Sequence, residues 1–119
     1  MKDHHGCPVQ ATVNVLSGKW KVQILWRLSF GQMRFSKRRM KLKDISEKVL
    51  AEQLRELERD GVVARHVSES KPPAVSYSLS AQGEKLVPLM ELLCARGSAH
   101  FQIKPTLVRR VKVAGELVG

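Results

Sequence analysis

The side chains best equipped for chemistry are Cys7 and Cys94, the histidines His4, His5, His66 and His100, and a dense run of cations, Arg34, Lys37, Arg38, Arg39, Lys41, Lys43 and Lys48. Cys7 immediately precedes Pro8, where a helix is expected to begin. The free N–H groups and dipole of a helix N-terminus favour a thiolate, the form that reacts with oxidants and electrophiles. A cysteine also serves as a small buried apolar group, and the residues around Cys7 leave both roles open. Cys94 falls in the apolar face of a later helix, where inert packing is expected. His4, His5 and Cys7 could share a metal, but no second cluster completes a four-ligand set, so neither a metal nor any other cofactor is expected. His66 and His100 stand alone, as ordinary surface or core residues do. The chain has no glycine-rich phosphate loop, no paired carboxylates in an apolar setting and no Ser-His-Asp arrangement, so no catalytic residue is named and enzymatic activity is not expected.

The cations are the stronger signal. Among 119 residues, 21 Lys plus Arg stand against 11 Asp plus Glu, a net charge of +10 that points to a polyanionic partner. A basic run alone is more often a solvated face, so its meaning depends on the elements that carry it. The hydrophobic share of 43% is that of a folded protein. No apolar run approaches the roughly 20 residues that span a bilayer, so no membrane partner is expected. The N-terminal Met1-Lys2-Asp3-His4-His5 has no apolar run leading to a small-residue cleavage site. A cytoplasmic protein with free thiols is therefore expected.

Apolar spacing at Val9, Val13 and Leu16 predicts a first helix over Pro8–Leu16, broken by Ser17-Gly18. Trp20, Ile24, Leu25 and Leu28 predict a second, ending near Phe30-Gly31, with Trp20 in its core stripe and Trp26 on another face, either packed against a partner's long helix or half exposed. A short basic helix is expected from Arg34 to about Leu42. Ser46 then caps a helix that starts at Glu47, with Ile45 and Leu50 as a hydrophobic staple, Leu50, Leu54 and Leu57 as a buried stripe, and Asp60-Gly61 as the stop. The period changes to two residues at Val63–Val67 and Val75–Leu79, a hairpin whose Glu69–Ala74 loop projects. Ser80 is expected to cap a last long helix with Leu86, Leu89, Met90 and Leu93 on one face, reaching at least Cys94. Leu107, Val108, Val111 and Val113 predict a short tail helix after Pro105.

This order of elements is that of a winged helix-turn-helix: α+β, mostly helical, with a two-stranded β-hairpin wing and N- and C-terminal dimerisation helices. A single domain is expected over 1–119, the winged part at about 7–100 and a tail or short helix at 101–119. The Ser46-capped helix would enter a major groove and the hairpin would lie beside the backbone or minor groove. The cap Ser46 together with Lys48, Ala51, Glu52 and Arg55 would contact DNA from the exposed side of that helix, reading bases or phosphates, while Arg34, Lys37, Arg39, Arg65 and, at the wing tip, Lys71 would hold the backbone.

The chain resembles the HxlR-type winged helix-turn-helix regulators, relatives of the MarR group. The resemblance rests on Cys7-Pro8, Ser17-Gly18-Lys19-Trp20, Ile24-Leu25, Arg34-Phe35, Ile45-Ser46, Leu50, Leu54-Arg55-Glu56-Leu57-Glu58, Asp60-Gly61-Val62-Val63, Arg65, Pro72-Pro73, Val75, Tyr77-Ser78-Leu79-Ser80 and Gly83, spread over roughly residues 7 to 97. It implies a bacterial homodimer that binds double-stranded DNA at a palindromic or pseudo-palindromic operator. It also implies that Cys7, at a place where several such proteins are similar to thiol sensors, meets an oxidant or electrophile. Three departures stand out: Arg38 where the family usually has Leu, Arg96 where a Trp usually precedes Gly97, and Lys43-Asp44 in place of Pro-Gly. Two other functions fit the same elements, a winged-helix protein-interaction module without specific DNA readout and a thiol-based redox enzyme using Cys7. Steep salt dependence of duplex binding marks a DNA reader, and catalytic turnover of a peroxide marks the enzyme.

Overall fold

The computed structural model describes residues 6–36, 42–105, 111–113 and 116–118, the last two stretches as backbone only. The chain divides into two compact units, Met1–Val87 and Pro88–Gly119. The first unit contains α1 (Pro8–Leu16), α2 (Lys21–Leu28), β1 (Met33–Arg34), α3 (Glu47–Arg59), β2 (Val63–Val67), β3 (Val75–Leu79) and α4 (Ala81–Glu84). The helix α5 (Val87–Phe101) and the strands β4 (Val111–Val113) and β5 (Glu116–Val118) follow. This is a winged helix, and its strands form an antiparallel sheet in the order β1-β3-β2.

Two apolar stripes build the core of the first unit. α2 buries Ile24, Leu25 and Leu28, and α3 buries Leu50, Leu54 and Leu57, each set recurring at the spacing that lines one side of a helix. Ile45, Leu42, Val62, Val63, Tyr77 and Leu79 complete it. α3 is defined at both ends by local chemistry. Ser46 Oγ accepts the Val49 N–H at 3.1 Å, and Ile45 and Leu50 are both buried as a staple requires. At the other end Gly61 takes φ of 82°, so that Gly61 N–H donates to Glu58 O and Val62 N–H to Leu57 O. That pair of bonds satisfies carbonyls the helix would leave open and turns the chain into β2.

Ser80 ties the end of β3 to this turn. Its N–H donates to Val62 O at 3.0 Å, its Oγ donates to Gly61 O at 2.6 Å, and the same Oγ accepts the Gly83 N–H at 3.1 Å. Gly83 is buried against the Val62 backbone.

Four expectations are corrected. Arg34 lies in a strand, β1, whose Met33 and Arg34 pair with Tyr77 and Ser76, so the wing sheet has a third strand and no helix begins at Arg34. Phe35 and Ser36, also expected in the short helix, follow the strand without helical structure, and residues 37–41, with Lys37, Arg38 and Arg39, lie outside the described residues. The last long helix is two helices, because Pro88 has no N–H to give the carbonyl four residues back and its ring collides there; a proline is at home in a first turn, and α5 starts at Val87. Val111 and Val113 sit in β4, paired with β5 as Val111↔Val118 and Val113↔Glu116, where a tail helix was expected; β-branched side chains favour strands. Leu107 and Val108 lie outside the described residues. Trp20, expected in the core stripe, is only half-buried at the N-cap of α2, with the Lys19 ammonium 4.8 Å from its ring centroid.

The turn before α3 keeps a left-handed residue without a glycine: Asp44 has φ of 67°. Left-handed backbone costs an ordinary L-residue about 1 to 2 kcal/mol, less for Asp. Asp44→Gly is therefore expected to raise stability by about 0.5 to 1 kcal/mol in urea unfolding; a loss would show that the Asp44 side chain itself holds the turn.

Candidate nucleic-acid interface

The exposed side of α3 is polar throughout. Lys48, Glu52, Arg55 and Arg59 face solvent, opposite the leucine stripe. Ser46 is committed to capping, so its hydroxyl already serves the helix. Ala51 is half-buried beside this face.

Between α3 and the sheet runs an open groove of about 460 Å³, lined by Phe35, Ala51, Arg55, Glu58, Arg65, Val75 and Tyr77. The strand register explains why Arg65 is there. Arg65 lies opposite Tyr77, and Val63 opposite Leu79, so Arg65 shares the sheet face that carries the core residues and emerges beyond them. Arg55 and Arg65 thus meet in one groove although ten positions separate them in sequence. Phe35 contacts Tyr77 edge-on, with centroids 6.4 Å apart, and forms the apolar floor with Val75.

Arg34 takes the other side of the wing. It lies opposite Ser76, as does His66 on the far strand, so both flank Ser76 on the face turned away from Arg65. With Gln32, Val67, Ser68 and Ala74 they line a second shallow depression. Gln32 Nε2 donates to Ser76 Oγ at 2.6 Å, and His66 Nε2 lies 2.7 Å from Ser78 Oγ. Arg34 and Arg65 therefore do not form one surface. Lys71 is exposed in the loop between β2 and β3, which serine side chains fold upon itself: Ser68 Oγ accepts the Ala74 N–H at 2.8 Å, and Ser70 Oγ donates to Pro72 O at 2.9 Å. Lys37 and Arg39 lie outside the described residues.

Cys7 is the N-cap of α1. Its Sγ accepts the Gln10 N–H at 3.4 Å, and the side chain is exposed, which removes the reading as a buried apolar filler. Cys94 is half-buried in α5. Among the described residues no cluster of His, Cys, Asp and Glu could hold a metal, and His4 and His5 lie outside that set.

Sequence reasoning missed four residues, three at the interface and one in the core beneath it. Glu58 was invisible as a groove residue because it needs the sheet to define the groove. His66 and Gln32 gained partners only through the register of β1, β2 and β3. Lys21, buried at 3% exposure in an ion pair with Glu56, carried no sequence signal, since a lysine at a helix start reads as a solvated charge.

Among the described residues no helix is long and apolar enough to cross a membrane. The HxlR-like helix-turn-helix family profile matches residues 15–105. The chain is 42% identical over 100 residues to the HTH-type transcriptional regulator YtcD of Bacillus subtilis, covering 84% of this chain and 79% of that protein. An HTH-type transcriptional regulator of Methanothermobacter thermautotrophicus is 36% identical over 98 residues, 82% of this chain and 75% of that protein. Among solved structures, the redox regulator HypR in its reduced form superposes with a TM-score of 0.76 at 37% identity, covering 80% of this chain and 94% of HypR. The reduced form of the transcriptional regulator YodB from B. subtilis gives 0.68 at 30% identity, covering 79% and 93%. With a capped helix beside a basic three-stranded wing, the profile match and relatives that are regulators rather than enzymes place the chain in the HxlR-like helix-turn-helix family of transcriptional regulators.

Proposed function

We propose that this regulator binds a palindromic or pseudo-palindromic operator in double-stranded DNA as a homodimer, with the N-terminal half of α3 in the major groove. The observation that carries the reading is the solvent-facing row Lys48, Glu52 and Arg55 on a helix whose opposite side is locked into the core. Such a helix can enter a groove without rearranging, and Lys48, Ala51 and Glu52 would reach base edges. Arg55 and Arg65 would meet phosphates from the groove, Lys71 from the wing tip and Arg34 from the wing's other face, with Lys37 and Arg39 added from the basic segment. Selection on random duplexes is expected to enrich two symmetric half-sites whose centres lie about one helical turn, roughly 34 Å, or a multiple of it apart. Failure to enrich any sequence would refute the reading.

Uncovered apolar surface supports the dimer. α1 buries none of its residues, leaving Val9 at 72% exposure, and α5 leaves Leu92 at 68% and Phe101 at 67%. Exposed apolar faces on two helices suit an isologous interface. Sedimentation at micromolar concentration is expected to show twice the chain mass of 13.4 kDa.

The same dimer helix begins with Cys7, and the likeness to regulators solved in reduced and oxidised states supports a thiol switch. Two Cys7 thiols, one from each subunit, would lose two electrons to a peroxide and give a disulfide and two waters; a quinone would instead add one sulfur and keep its proton as a phenol. Either product at the start of α1 would tilt the two α3 helices, and paired major grooves tolerate little tilt. Operator affinity is expected to change on peroxide or quinone treatment and to stay constant in Cys7→Ser, which binds as the reduced protein does. An identical response from Cys7→Ser would exclude Cys7 as the sensor.

A further inference from the structure

Lys21 is the only charged residue buried among the described residues, at 3% exposure. Its Nζ lies 2.5 Å from Oε1 of Glu56, joining the first turn of α2 to α3. The attraction of this pair is set against costs that an apolar residue would not carry. A cation at a helix N-terminus opposes the dipole, and α2 has no acid in its first turn to offset it. Methionine would fill similar volume without the cost of taking an ammonium out of water, and such replacements of buried pairs are often neutral or stabilising.

What the ion pair supplies is direction. Leu50, Leu54 and Leu57 lock α3 onto the core, but apolar contact is non-directional and fixes the last degrees of rotation about the helix axis less sharply than a hydrogen-bonded pair does. At about 100° per residue, the flank bearing Ala51, Arg55 and Glu58 lies on one side of this stripe, against the groove. Glu56 lies on the opposite flank, about 240° round from Leu50. The sheet side and the Lys21 side therefore bracket the helix. A helix with its side chains is about 10 to 12 Å across, so a rotation of about 20° moves a side-chain tip by about 2 Å. Hydrogen bonds to base edges have a latitude of about 0.5 Å.

We infer that Lys21 is a positioning residue for DNA reading: through Glu56 it sets the rotation of α3, and thereby the sequence preference, without touching DNA. The inference rests on the major-groove reading of α3 proposed above. Removing the lysine is the informative change, because it leaves Glu56, whose side chain is 41% exposed, able to hydrate, whereas removing the glutamate would strand a buried ammonium.

The test compares wild type, Lys21→Met and Lys21→Arg on the duplex enriched from random sequences and on a scrambled duplex of equal length, at one salt concentration, with thermal unfolding of each protein. Lys21→Met is expected to melt no lower than wild type and to bind the scrambled duplex within about twofold, while its preference for the enriched duplex falls at least about tenfold. Lys21→Arg, which keeps the cation, is expected to recover part of that preference. An unchanged preference in Lys21→Met overturns the inference and leaves the DNA-reading proposal standing. A lowered melting temperature with both affinities reduced together also overturns it, since the pair would then be a plain stabiliser. Absence of any preference in wild type refutes both.

Discussion

Gly83→Ala is expected to destabilise the protein by at least about 3 kcal/mol, a large part of the total stability of a domain this small. The added Cβ would stand 2.1 Å from the Val62 carbonyl oxygen and 3.3 Å from Leu79 Cβ. The first neighbour is backbone, so no rotamer relieves the overlap. Moving Val62 would break the Ser80 N–H bond to its oxygen, and with it the latch through Ser80 Oγ to Gly61 that joins the end of α3 to the start of α4. Urea unfolding measures the effect. A loss below about 1 kcal/mol would mean that α4 slides away from the turn and that the latch is loose.

Lys48→Glu is expected to move stability and DNA binding in opposite directions. Lys48 is exposed in the first turn of α3, where Glu47 already stands as the favourable acid. A second acid there complements the helix dipole, so the melting temperature should hold or rise, by the equivalent of about 0.3 to 1 kcal/mol. Operator affinity should fall by about 100-fold, because the substitution removes a base or phosphate contact and sets a negative charge against the backbone. Unfolding curves and duplex titrations on the same preparation separate the two effects. Retained affinity would remove Lys48 from the interface.

The parts of this fold that were legible in the sequence are those decided by local chemistry. Ser46, Ile45 and Gly61 bound α3 because a cap, a staple and a left-handed stop act within a few residues. The leucine stripe of α3 and the alternation of Val63–Val67 and Val75–Leu79 are periodicities that the backbone itself imposes. β1 was illegible because two residues are too few to show alternation, and Met33 and Arg34 become a strand only by pairing with β3. The break before α5 was hidden because Leu86, Leu89, Met90 and Leu93 keep helical spacing across Pro88, and apolar spacing does not record a missing N–H. The candidate interface shows the same division. That Lys48, Glu52 and Arg55 face away from the core follows from the helix period. That Arg65 joins Arg55 while Arg34 turns to the opposite sheet face follows from strand register, which the sequence of one strand cannot specify alone.

The central claim, that α3 and its basic surroundings read double-stranded DNA, is tested most directly by measuring affinity for the enriched and the scrambled duplex across a range of salt concentrations. Both curves of log affinity against log salt should fall steeply, by about 0.9 for each phosphate neutralised, and Lys71→Ala should lower that slope by about one. The enriched duplex should bind at least about 1,000-fold more tightly than the scrambled one at physiological salt. A flat salt dependence, or equal affinity for the two duplexes, would contradict the account.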